Sequence, residues 1–173
     1  MGRMVYDVPL VTQAANPICW VCCMAMIASE RRSYSVGVGE FTGGFDPSSA
    51  SVPDPAGGGS DWDLIGRLLA RAGFNTTAIN PNADEIEALL RTCGPFMLTH
   101  YCAGFPYGSG WPQLTNGVHA VVITGIDSAI SGGMCWMNNP WGNKDRPILT
   151  SAVIAAIIAW LPTGQFQEAY WAP

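Results

Sequence analysis

The chain has 173 residues, 49% of them hydrophobic and only 12% charged, with a net charge of −5 and a pI near 4.7. That length and apolar content suit one domain over residues 1–173 with a substantial core, and they exclude an intrinsically disordered chain. The eight Lys and Arg are scattered, so the basic patch that a nucleic-acid partner requires is missing.

In chain order, residues 4–12 mix Val, Tyr, Leu and Pro and read as a short extended lead-in. Pro17 precedes a run over residues 18–28 that contains neither Gly nor Pro, which predicts a helix from about Ile18 to near Arg32 with Cys19 in its first turn. Arg3 ahead of this apolar run invites comparison with a signal peptide. Pro17, the distance from the start and the following Glu30-Arg31-Arg32, without a convincing cleavage site, argue against that. Residues 35–60 are rich in Gly, Ser and Pro and show no periodicity, the signature of a binding loop or mobile insertion.

Asp61 is positioned to cap a helix carrying Leu64, Ile65, Leu68, Leu69 and Ala72 on one face, with Gly73 as its terminator. Residues 74–79 read as a short strand. Asn82 then caps a second amphipathic helix, with Ile86, Leu89 and Leu90 inward, that stops before Gly94-Pro95. Beyond it the pattern changes to strand candidates at 96–101, 118–126 and 134–137, with Gly132-Gly133 in the last turn. Residues 150–161 form a candidate helix and 166–171 a closing strand. Helices first and strands second predict an α+β fold. The apolar run 152–161 is too short for a membrane span, which needs roughly 20 residues, so a soluble protein is expected.

Cys19 is the residue to which chemistry can be attached. At a helix start, unpaired N–H groups and the positive end of the dipole favour a thiolate, which is the nucleophilic form. Gln13, six residues upstream, can aim its side-chain N–H₂ at the oxyanion that forms when this sulfur attacks a carbonyl. The plainer reading is that Cys19, Cys22 and Cys23 are small buried hydrophobes, as free cysteines usually are. The six cysteines are expected to be mostly reduced, consistent with synthesis or action in the cytosol, although one pair involving Cys93, Cys102 or Cys135 stays open.

A thiolate needs a base, and there are two histidines. His119 opens the apolar strand 118–126, where a polar ring must be used or satisfied. His100 ends another strand beside Tyr101 and Cys102 without a comparable setting. Asn139, held extended by Pro140 at the end of the neighbouring strand, can accept the His119 ring N–H. Asn138 is the alternative, and only one of the two can serve because adjacent strand residues face opposite ways. Each of these has a structural reading too: a satisfied strand-end histidine and a plain turn initiator.

Taken together, Gln13-x5-Cys19-Trp20, Gly94-Pro95-Phe96-Met97, the run His119 to Gly125, and Asn138-Asn139-Pro140-Trp141-Gly142 resemble the papain-like cysteine peptidases. The likeness spans roughly residues 8–145 and is nearest to their compact bacterial branch, which includes bacteriocin-leader peptidases and secreted effector proteases. It implies an N-terminal helical part, with the nucleophile at a helix start, packed against a C-terminal antiparallel sheet. It also implies Cys19 as nucleophile, His119 as base and acid, Asn139 as orienting residue, and Gln13 with the Cys19 backbone N–H as oxyanion hole. No cofactor is called for, and a metal site lacks paired ligand spacing. Trp20 and Trp141, with Trp111 and Trp136 as further candidates, are placed along a substrate cleft, against the alternative of aromatic core packing. Ile18-Cys19-Trp20 departs from the Asp-Cys-Gly usual in leader peptidases, which moves the chain away from leader processing. Asn139 departs from the Asp of many relatives.

The expected activity is cleavage of a peptide bond in a protein or peptide substrate, in a bacterial toxin or effector made in the cytoplasm and delivered without a signal peptide. That role leaves room for a cognate immunity or inhibitor protein. The same triad would also serve a deamidase, isopeptidase or acyl transferase. A dithiol redox site at Cys19/Cys22 is a minor alternative, since the usual βαβ context is lacking.

Overall fold

The structure, a computed structural model, describes residues 2–13, 18–42, 51–52, 59–60, 62–101, 105, 118–160 and 168–173. Its central feature is an antiparallel sheet built from β4 (Asn75–Ala78), β9 (Glu168–Trp171), β5 (Phe96–Tyr101), β6 (Val118–Asp127), β7 (Met134–Asn139) and β8 (Asn143–Leu149), in that spatial order. β1 (Arg3–Val5) takes the β5 edge of β6 beyond the end of β5, pairing Val5 with Gly125 and Arg3 with Asp127. Helices cover both faces. On one side lie α1 (Cys19–Arg32) and α3 (Trp62–Arg71), on the other α4 (Ala83–Cys93) and α5 (Thr150–Trp160). Because both faces are buried, the central strands read as nearly continuous apolar runs, with Met97, Ala120 and Val122 toward α1 and Phe96, Leu98, Val121 and Ile123 toward α4 and α5. This is the α+β arrangement expected.

The helices stand where their termini are encoded. α1 is buried from Cys19 to Ser29, so it is a core helix without a solvent stripe. Gly73, at φ +83°, ends α3 with bonds from Gly73 N–H to Ala70 O and Phe74 N–H to Leu69 O, a left-handed cap that packs Phe74 back on Leu69. Asn82 Oδ1 accepts from Glu85 N–H at 2.8 Å and caps α4, whose Ile86, Leu89 and Leu90 are buried. The Asp61 cap lies outside the described residues.

The structure departs from the sequence reading in three places. The segment 35–60, expected to be structureless, holds a short helix, α2 (Gly39–Thr42), and a two-stranded pair, β2 (Ser51–Val52) with β3 (Gly59–Ser60). β8 was not anticipated, because Lys144, Asp145, Arg146 and Pro147 look like loop; it is the outermost strand, where a missing proline N–H and charged side chains are tolerated. The expected closing strand is present as β9, and it enters between β4 and β5. β4 is shorter than residues 74–79 and its side chains are exposed, as befits the opposite edge. Cys19, Cys22, Cys23, Cys93 and Cys135 are all unbridged, and Cys102 lies outside the described residues. Among those residues no helix is long and apolar enough to cross a membrane.

Gly125 is the point where β1 touches the sheet: a Cβ there would lie 2.5 Å from the Met4 carbonyl oxygen and 2.8 Å from Val5 Cα. Both are backbone atoms, so β1 must give way. Gly125→Ala is expected to lower stability by about 2 kcal/mol and to speed amide exchange at residues 3–5. An unchanged urea midpoint would show that β1 contributes nothing to the sheet.

Candidate active site

His119 is the second residue of β6 and is buried, facing the same way as Val121 and Ile123. Its Nε2 lies 2.9 Å from Asn139 Oδ1. An amide oxygen only accepts, so Nε2 carries the proton and the lone pair is left on Nδ1. Asn139 is oriented by its own turn. β7 ends at Asn139, Gly142 N–H closes back on Asn139 O at 2.9 Å, and Trp141 N–H donates to Asn139 Oδ1 at 3.0 Å. The same tight turn lays the Trp141 ring on His119, with centroids 4.0 Å apart and planes at 19°. Trp141 thus covers the hydrogen bond that sets the tautomer. Asn139 Nδ2 is buried without a hydrogen-bond partner among the described residues, a cost of about 1–3 kcal/mol.

Asn138 does different work. Its Nδ2 donates to Val8 O at 2.8 Å and its Oδ1 accepts from Asp145 N–H at 2.8 Å, so it clamps the N-terminal lead-in and the irregularity where β8 gains a residue on β7. The two asparagines point to opposite faces, and only Asn139 meets His119.

Cys19 is the first residue of α1, after Ile18. It is buried in the cluster that includes Ala120 and Val122. The strand that carries His119 is therefore the strand on which α1 packs. Upstream, Gln13 is buried, and its backbone N–H donates to Pro140 O at 2.9 Å, which ties the approach to Cys19 to the Asn139–Trp141 turn. The four other described cysteines are all made poor nucleophiles by burial. It pushes the Cys22 thiol up to about 12 and Cys135 up to about 11, and raises Cys23 and Cys93 as well. Burial also lowers His119 to about 4, opposed by the hydrogen bond that its Nε2–H donates to Asn139.

Two expectations need correction. Trp20 does not line a cleft: it is 2% exposed and packs beside Cys19 in the α1 core. Position two of a helix buried on all sides leaves it no route to solvent. Of the other tryptophans, Trp136 lies under the Arg3 guanidinium, 4.7 Å from the ring centroid, and Trp111 is outside the described residues. The second correction concerns His100. It sits directly opposite His119 in the β5–β6 register, fully buried, with its ring 6.0 Å from that of His119. No local signal announces this, because it depends on which residues two strands bring into register.

An antiparallel sheet flanked by helices, with a cysteine heading the long core helix and a histidine–asparagine pair at the sheet end, defines a papain-like cysteine peptidase. The comparison of sequences narrows the class. A family model described as papain-like cysteine protease AvrRpt2 matches residues 3–153, and the chain belongs to that family. No curated protein matches it significantly.

Proposed function

We propose that this papain-like cysteine peptidase cleaves a peptide bond in a protein substrate through Cys19, His119 and Asn139. The observation that carries the reading is the 2.9 Å bond from His119 Nε2–H to Asn139 Oδ1 beneath Trp141, which leaves Nδ1 as the basic nitrogen. α1 packs on β6, and the backbone bond from Gln13 to Pro140 ties the approach to Cys19 to the turn that carries Asn139, which together support a meeting of Sγ with Nδ1 at the end of the sheet where His119 stands.

Cys19 Sγ passes its proton to His119 Nδ1 and bonds to the scissile carbonyl carbon. The oxyanion is received by the Gln13 side-chain N–H₂ and the Cys19 backbone N–H. The C–N bond then breaks as His119 returns the proton to the leaving amine. Water attacks the thioester, His119 takes one of its protons, and the acid product departs as the thiol is restored. Asn139 holds the ring through both halves and, being neutral, contributes orientation without adding a charge. The likeness to AvrRpt2 supports an effector role with delivery into another cell, and such a role leaves room for a cognate immunity or inhibitor protein as partner.

The test is brief exposure to iodoacetamide near neutral pH, followed by peptide mapping. Cys19 is expected to label far ahead of the other cysteines, and His119→Ala to remove that advantage. Labelling spread evenly over several cysteines, or a fast Cys19 in His119→Ala, defeats the assignment.

A further inference from the structure

The mechanism above uses one histidine, yet two are buried side by side. His100 and His119 are directly opposed on β5 and β6, so their side chains leave the same face of the sheet. Their rings meet nearly edge to face, at 81° and 6.0 Å between centroids. The His100 ring also lies against Phe105 at 4.0 Å and 35°, and Phe105 is itself buried in the core shared with α4 and α5. Among the described residues, Trp141 is stacked on the His119 ring and His100 stands crosswise to it.

A stacked neighbour restrains the tilt of a ring but lets it slide and turn within its plane. A crosswise neighbour adds a restraint of a different direction, and together the two define one orientation. We propose that His100 is a positioning residue for His119: its ring, backed by Phe105 and set crosswise from the adjacent strand, holds the imidazole at the angle that proton exchange with Cys19 requires. This rests on the reading of His119 as the base. Burial foremost, and the neighbouring His119 next, hold His100 well below the ordinary histidine range, so it remains neutral and places no charge against the imidazolium that forms on its partner.

The rate constant for iodoacetamide at Cys19 near neutral pH reads this without a substrate, because it follows the thiolate that His119 maintains. His100→Leu and His100→Gln remove the ring, the second keeping a polar side chain; His100→Phe keeps it. All are checked for native near-ultraviolet circular dichroism, and His100→Gln serves if His100→Leu does not fold. The ringless variants are expected to label about tenfold more slowly, while His100→Phe recovers most of the wild-type rate. A merely structural role predicts altered melting with an unchanged labelling rate. Wild-type rates in all variants overturn the proposal, as does recovery by Gln but not Phe, or equal slowing in the folded Phe and ringless proteins. His119→Ala runs in parallel. If it labels at the wild-type rate, the underlying assignment has failed; if it is slow while the His100 variants are not, only the inference about His100 has.

Discussion

Cys19→Ala is expected to lower peptide cleavage by about four orders of magnitude or more, since loss of the nucleophile leaves only the contribution of binding and the oxyanion donors. The protein should remain folded. Cys19 lies at the start of α1, at the margin of a cluster built from Trp20, Val21, Met24, Met26 and Ile27, and exchanging a thiol for hydrogen there removes little buried volume. A stability change of about 1 kcal/mol or less is anticipated. The measurement is digestion of a proteome-derived peptide library by the wild-type and variant proteins, read by mass spectrometry alongside thermal melting. Cleavage that persists in a folded Cys19→Ala protein would end the case for this nucleophile. Products one mass unit heavier without chain scission would identify deamidation by the same thiol.

The second large effect concerns acid. His119 is held at about 4 and His100 well below the usual histidine range, both chiefly by burial, whereas both rings titrate near 6.5 when unfolded. The unfolded state therefore binds protons first. Stability is complete above about pH 6.5 and is lost as the pH falls toward the folded values. For His119 the loss between about pH 6.5 and 5 is about 2 kcal/mol, and His100 adds in the same direction. Ordinary carboxylates remain ionised in that window, so the histidines dominate it. The clean background is Cys19→Ala, where no thiolate draws a proton onto His119. Urea midpoints in that background should fall steeply from pH 7 to 5, and adding His119→Leu should flatten the slope. Parallel curves with and without His119 would mean that its ring is not buried in a neutral state.

Much of the local architecture is written in short stretches. Asn82 and Gly73 act as cap and terminator because capping depends on a side chain or a left-handed φ within a few residues of the helix end. Cys19 falls in the first turn of α1 for the same reason: Pro17 ahead of an uninterrupted apolar run marks a helix start. The strands at 96–101 and 118–126 are legible from their apolar runs and their bounding Gly and Pro. The pairing of His119 with an asparagine at the end of the next strand is foreseeable from residue order. The preference for Asn139 over Asn138 depends on strand faces and on the turn that follows.

What no short stretch could supply is long-range. β9 joins the sheet between β4 and β5, and β1 completes an edge of β6 from the other end of the chain. β8 forms from residues whose composition argues against a strand, because an outer position removes the need for a full ladder of hydrogen bonds on its far side. Trp20 is drawn into the core by a helix that turns out to be buried all round.

By itself, then, the sequence determined the helix ends, the apolar strands and the chemical types present: a thiol at a helix start, an imidazole at a strand start, an amide before a proline. Only the tertiary structure decided their company. It set His100 against His119, stacked Trp141 on the His119 ring, and gave Asn138 to clamping Val8. Periodicity and capping act over a few residues, whereas register between strands and the closing of a sheet are settled by the joint packing of segments far apart in the chain.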